Sequence, residues 1–158
     1  GQGSVFRFDL PGCVPPALLP DLLPDLPDRP LLAAGQCVLV IDDDEQILVA
    51  MSLLLDSWGV AALTARTLAE ARTRMAEASV RPSLALLDHH LSHGASPQDN
   101  VGRLRSWLAP GVPIVIVTGD TSSQAMRQVA ALDVQVWHKP VDPVLLRGLL
   151  QPAGPAAD

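Results

Sequence analysis

Tyrosine is absent from this chain, and only two Phe and three Trp stand among its 158 residues, so Leu, Val and Ala must build any core it has. Cysteine is scarce too. Cys13 sits in a proline-rich stretch and Cys37 opens an apolar run, which leaves no disulfide framework and no cysteine metal box and fits a reducing cytoplasm. Basic residues are few and dispersed. The net charge is −6, with no cluster of the kind that follows a phosphate backbone, which argues against direct nucleic-acid binding. No apolar stretch reaches the ~18 residues a membrane span requires, and no signal-peptide pattern is present, so direct membrane contact is not expected of this piece even if its parent protein is membrane-associated. Internal repeats are lacking. The chain opens on Gly rather than Met, and we expect it to be part of a longer protein.

What is present is a set of four apolar runs, each leading to a residue that can handle a phosphoryl group or its metal. CVLVI runs into Asp42, Asp43 and Asp44; LALL into Asp88; PIVIV into Thr118; and VQVW, after one residue, into Lys139. Short aliphatic runs of this kind read as buried strands of a parallel sheet covered on both faces. In an open parallel sheet the carboxyl ends point one way and ligands bind just beyond them. Residues spread over about a hundred positions would then meet at one site. Three or more carboxylates, a hydroxyl and an ammonium together describe phosphoryl chemistry on a divalent metal.

Along the chain, residues 1–10 carry Phe6, Phe8 and Leu10 at a period of two, the signal of a strand with one buried face. Residues 11–36 hold seven prolines, which remove donors and restrict their predecessors, so this stretch reads as a semi-extended linker. From Cys37 strand and helix alternate. Ile47, Leu48, Met51, Leu54, Leu55 and Trp58 share one helical stripe that Gly59 ends. VAAL (60–63) is a weak second strand, and Thr67 with Glu70 makes a capping box ahead of Leu68, Ala71, Met75 and Ala78. Strand 84–87, a helix around Val101, Leu104 and Leu108, strand 113–117, a helix carrying Met126, Val129 and Ala130, and strand 134–137 follow. A last helix opens on Asp142 as N-cap and Pro143 at the first turn. The order is (βα)5, for which right-handed crossovers make a doubly wound α/β sheet the natural solution.

VLVIDDDEQ (38–46), LALLDHHLS (84–92), IVIVTGD (114–120) and HKPVDP (138–143) resemble, in order and spacing, the receiver domain of bacterial two-component signalling. The resemblance covers residues 37–151, leaves 152–158 as a tail, and implies a flavodoxin-like five-stranded parallel sheet of order 2-1-3-4-5. GQGSVFRFDLP (1–11) looks like the last strand of a histidine kinase's ATP-binding domain. Kinase strand remnant, linker and receiver in this order suggest the C-terminal end of a hybrid sensor histidine kinase. The partner would be that kinase's core or a histidine phosphotransfer domain. Nucleotide-binding residues of a kinase are absent, so ATP binding is not expected, and whether the chain counts as an enzyme stays open.

By the resemblance, Asp88 is the phosphoacceptor, and Asp42, Asp43 and Asp88 hold Mg²⁺ together with the backbone carbonyl of His90. Such a hard oxygen cage suits octahedral Mg²⁺. Two carboxylates ~4 Å apart repel by about 4 kcal/mol at an effective dielectric near 20, which a dication relieves. Thr118 would donate its hydroxyl to one phosphoryl oxygen and Lys139 its ammonium to another, with Pro140 aiming that lysine inward.

Other readings compete. The acidic run 42–44 could be a solvated turn at a helix N-terminus. His89, His90 and His93 could hold a transition metal, but lie in an expected loop without cysteines. A haloacid-dehalogenase-type phosphatase could use Asp42 and Asp44 with Thr118 and Lys139, although Glu45 stands where that family wants Gly and Asp88 would be idle. A pseudo-receiver that only docks a partner is the third possibility. The chain also departs from the receiver pattern. Ser92 stands where a proline usually follows, the stretch SHGASPQDN runs long, Gly119 replaces a common Ala, and Val136 occupies the place of the aromatic switch.

Overall fold

The structure, a computed structural model, describes residues 35–78, 81–91, 95–120, 129–130 and 132–150. The strand expected over 1–10, the linker but for its last two residues, the tail, and His93 lie outside the described residues, as does most of the helix expected around Met126.

Five strands form one parallel sheet: β1 (Cys37–Ile41), β2 (Ala61–Ala65), β3 (Leu84–Asp88), β4 (Ile114–Thr118) and β5 (Gln135–His138), in the order β2-β1-β3-β4-β5. Four helices are described: α1 (Glu45–Ser57), α2 (Leu68–Glu77), α3 (Pro97–Trp107) and α4 (Pro143–Leu150). The expected doubly wound fold and strand order are present. β1, β3 and β4 are buried at every position, whereas the edge strands β2 and β5 are only partly covered. That is why the three central strands read as unbroken aliphatic runs and the edges do not.

Alternation along the strands divides the core in two. Leu39, Ile41, Ala85, Leu87 and Ile116 face α2 and α3, where Leu68, Ala71, Met75, Val101 and Leu104 meet them. Val38, Val40, Leu84, Leu86, Val115 and Val117 face α1 and α4, against Leu48, Met51, Leu55, Leu146 and Leu150. Each fully buried leucine contributes about 1.5–3 kcal/mol relative to exposure, so the dearth of aromatic side chains is met by many aliphatic ones.

The helix ends follow local chemistry. Asp44 caps α1, its carboxylate accepting the Gln46 N–H at 2.8 Å. At the other end Gly59, at φ 72°, donates to the Asp56 carbonyl while Val60 donates to Leu55. This is a Schellman motif, in which a left-handed residue turns the chain back. Thr67 accepts the Glu70 N–H at 3.1 Å, and Glu70 reaches back to the Arg66 N–H at 2.8 Å, so the expected capping box closes one residue earlier than its usual form. The Arg66 N–H, with the adjacent Arg74, holds the Glu70 carboxyl below its ordinary pKa. Ser96 and Asp142 cap α3 and α4 in the same manner.

Strand bounds differ from the sequence expectation by a residue or two. β4 starts at Ile114 because Pro113, lacking an N–H, only accepts, from Ala85. It continues through Thr118 because Lys139 donates to the Thr118 carbonyl at 2.8 Å. Among the described residues both core clusters are built from Val38 onward. A truncation that begins at Gly35 should therefore fold with nearly unchanged stability; urea denaturation checks this, and a loss of several kcal/mol would make residues 1–34 part of the domain.

Candidate functional site

The carboxyl ends of β1, β3, β4 and β5 carry the residues the sequence singles out. Asp42 and Asp43 follow β1, Asp88 and Thr118 end β3 and β4, and Lys139 follows β5. Carboxylate oxygens of Asp42, Asp43 and Asp88 lie within 4.8 Å of one another. Asp42 and Asp88 are only 3% and 5% exposed, so their charges need partners.

Lys139 supplies the main one. Its Nζ stands 2.7 Å from Asp42 Oδ2 and 2.8 Å from Asp88 Oδ1, bridging residues that are 97 positions apart in the first pair. It is the only lysine in the chain. Burial draws its pKa down, but the hydrogen bonds and charges of Asp42 and Asp88 outweigh burial and hold it above the ordinary value. The remaining carboxylate oxygens meet the backbone: Asp44 N–H donates to Asp42 Oδ1 at 3.0 Å, and His90 N–H to Asp88 Oδ2 at 2.9 Å. The Lys139–Pro140 peptide is cis.

Three of the singled-out residues stand differently from what the sequence suggests. Asp44 turns away to cap α1 and is exposed, so the helix-terminus reading holds for it and not for the buried Asp42. Thr118 is fully buried, and its hydroxyl is tied to Asp120, accepting that residue's N–H at 3.0 Å and donating to its carbonyl at 3.3 Å. His90 holds Asp88 through its N–H, while its ring is exposed with Nε2 4.0 Å from Asp120 Oδ2. The rings of His89 and His90 meet edge-on, centroids 4.6 Å apart. Burial, then the nearby His90, lowers the His89 pKa, and its Nε2 is buried with no hydrogen-bond partner among the described residues. Among those residues neither histidine belongs to a group of metal-ligand geometry.

The donor set of the acidic group fits a hard divalent cation: three carboxylates, convergent, two of them buried and one half-buried. What sequence reading missed is the double ion pair of Lys139, assigned there only to a phosphoryl oxygen. The signal available was the number of carboxylates, which exceeds what backbone donors can neutralise.

Comparisons bear on this geometry. No protein-family model and no curated protein matches the chain. A response regulator receiver protein from Pseudomonas putida is 31% identical, with a TM-score of 0.61, over 75% of this chain and 97% of that one. The chemotaxis protein CheY4 of Vibrio cholerae is 25% identical, with a TM-score of 0.60, over 73% and 97%. A response regulator from Burkholderia pseudomallei, solved with a phosphorylated aspartic acid, calcium ion and citrate, shares the fold at 23% identity and a TM-score of 0.61, over 73% and 66%. The chain belongs to the response regulator receiver family.

The Lys139 pair carries a pH signature. Its proton is held more tightly in the folded state, so its contribution is fully present below the unfolded lysine pKa of about 10.4 and is lost as pH rises through the higher folded value. Wild type should thus lose stability in that alkaline range relative to Lys139→Met, whose deficit, largest at neutral pH, should narrow there. Urea denaturation from pH 7 to 11.5 checks this; parallel curves would remove Lys139 from the charge balance.

Proposed function

We propose that this domain takes a phosphoryl group from a partner's phosphohistidine onto Asp88, with Mg²⁺ held by Asp42, Asp43, Asp88 and the His90 carbonyl. The observation that carries the reading is the convergence of three carboxylates within 4.8 Å, two of them bridged by the chain's one lysine. Such a cluster is costly as pure structure, because buried charges lose hydration that pairing only partly restores.

The Asp88 oxygen attacks phosphorus in line with the departing imidazole nitrogen; the new O–P bond forms as the N–P bond breaks, and the imidazole leaves. Mg²⁺, when bound, would supply positive charge against the phosphoryl oxygens. Lys139, released from its two carboxylates, donates to one phosphoryl oxygen. Thr118 exchanges its Asp120 carbonyl contact for a second oxygen, a short turn of a hydroxyl already at the strand's end. Fixed donors aimed at developing charge are the main catalytic resource of such a site. The phosphorylated aspartic acid and calcium ion of the Burkholderia pseudomallei regulator support the same assignment.

A partner surface adjoins the site. Val49 and Leu53, 52% and 67% exposed, lie one helical turn apart on α1, which begins just after the acidic pair. They suit the apolar flank of a histidine-bearing helix, in a kinase core or a phosphotransfer domain. We place the chain at the C-terminal end of a hybrid kinase on the resemblance of residues 1–11 to a kinase strand; a cytoplasmic setting follows from that reading. No described helix is long and apolar enough to cross a membrane.

Asp88→Asn should abolish labelling by acetyl phosphate while leaving the fold intact, since the swap is nearly isosteric. Mass spectrometry that still finds full-stoichiometry aspartyl phosphate would overturn the assignment. Millimolar Mg²⁺ should raise the Tm by a few degrees, in line with the ~2.7 kcal/mol expected of a ligand at a hundred times its Kd, and Asp43→Ala should remove that rise; an unresponsive wild-type Tm would count against the pocket.

Val136 shares the Thr118 face of the sheet and packs, partly buried, on the α2–α3 side, while its aromatic neighbour Trp137 packs on the other. On the Thr118 face the described residues of β5 place Val136 and the exposed His138, with no Phe, Tyr or Trp to follow Thr118 inward, and a two-state switch needs contacts that differ between its states. NMR with beryllofluoride and Mg²⁺ should show its largest shifts in residues 89–100; shifts concentrated in 121–150, with dimerisation, would contradict a relay that docks its partner beside Asp88.

A further inference from the structure

Residues 11–34 carry seven leucines beside their seven prolines. Linkers that stay in water are polar or glycine-rich, so this composition calls for an apolar surface to lie on. Leu19, Leu23 and Leu26 each precede a Pro-Asp pair, and the stretch 19–28 holds three carboxylates and no cation. The phosphoacceptor chemistry makes no use of this pattern.

The described residues offer such a surface. On the rim opposite the acidic pocket a cavity of about 770 Å³ opens between the starts of β4 and β5. Its floor is apolar: Leu108 and Ile114 are buried, while Val112, Leu132 and Val134 are partly exposed. Arg105 is the one cation among its described lining residues. Through Nη2 it donates to the Asp133 carbonyl and stands 4.0 Å from the Asp133 carboxylate, and its Nε and Nη1 make no contact among the described residues. The linker joins the domain on this same rim. Gln36, its last residue, leads into Cys37 at the start of β1, which lies two strands from β4, about 10 Å at ordinary strand spacing. Residues 29–36, at ~3 Å each in an extended Pro-rich chain, more than span that gap. Gln36 Oε1 is buried with no hydrogen-bond partner among the described residues. A buried acceptor of this kind calls for an explanation, and the chain before it can supply the donor.

We propose that this groove binds residues 19–28 of the same chain, with leucines on the apolar floor and a Pro-Asp carboxylate on Arg105. An apolar floor beside a single guanidinium matches a segment in which each of three leucines is followed two residues later by a carboxylate. Proline limits the freedom the segment loses on docking, as in other recognised Pro-rich peptides. The short tether sets a local concentration of millimolar order, so an affinity too weak to hold a separate peptide suffices. Folding depends little on this contact, because both core clusters are built without it. The residues before 19 then set out from the rim away from Asp88, which leaves the acidic pocket open to a partner. The inference does not depend on the phosphoacceptor reading, since none of the groove residues belongs to that pocket.

The test uses the full chain. A nitroxide is attached at Cys13, six residues before the segment; Cys37 stays unmodified because it is buried and burial pushes its thiol pKa up. NMR should show the amides of Arg105, Val112 and Val134 broadened, and those of Asp43 and His89, on the opposite rim, sharp. Leu23→Ser combined with Leu26→Ser should abolish the broadening. Arg105→Gln should lower the docked-to-free ratio about tenfold, as loss of a charge-assisted hydrogen bond does. The serine substitutions lie outside both core clusters, so undocking is not confused with unfolding. The proposal is overturned if the two rims broaden equally or if either the serine or the arginine variant leaves the broadening unchanged. Broadening that scales with protein concentration would overturn it too, by giving the groove to a second copy's linker.

Discussion

Compensation of buried negative charge at one edge of the sheet is the constraint on which the rest of this structure depends. Asp42 and Asp88 are nearly inaccessible, and an isolated carboxylate in such a place would neutralise or unfold the site. Lys139 prevents that by touching both. It can do so only because β5 lies two strands from β3, about 10 Å at ordinary strand spacing, a gap that a four-carbon stem helps to span. The Thr118 carbonyl, accepting the Lys139 N–H, fixes where that stem begins. Loss of the lysine would therefore be felt on three strands at once.

The same arrangement prepares the pocket for chemistry. Backbone donors from Asp44 and His90 hold one oxygen of Asp42 and one of Asp88, so the remaining oxygens are oriented before any ligand arrives. Preorganised groups of this kind cost no rearrangement at the moment of reaction. Thr118 and Lys139 are the exceptions, since the Thr118 hydroxyl rests on Asp120 and must turn, and the Lys139 ammonium must leave its carboxylates. Val136 packs on the α2–α3 layer and Trp137 on the opposite one.

Much of this was legible beforehand. The aliphatic runs ending in Asp42, Asp88 and Thr118 identified the buried central strands, because a strand covered on both faces has no room for polar residues. Gly59, Thr67 and Asp142 marked helix ends through chemistry that is local and therefore readable. Legibility failed at the edges of elements and between groups. The ends of β4 and β5 depend on cross-strand bonds such as that from Lys139 to Thr118, which no local pattern announces. The resemblance separated Asp42 and Asp43 from Asp44, but the residues alone did not, since three consecutive carboxylates differ only in where the turn after β1 points them.

By itself, then, the amino-acid order determined the alternation of strand and helix, the parallel sheet it implies, and the set of acids, hydroxyl and ammonium that the carboxyl ends would gather. These follow from hydrophobic periodicity and from the one-way direction of parallel strands. Tertiary structure alone decided that Lys139 neutralises two carboxylates, that Asp44 serves a helix instead of a metal, and that a groove with one arginine on its wall opens between the starts of β4 and β5. Each of those depends on distances between side chains far apart in sequence, and such distances exist only once both layers of helices have packed against the sheet.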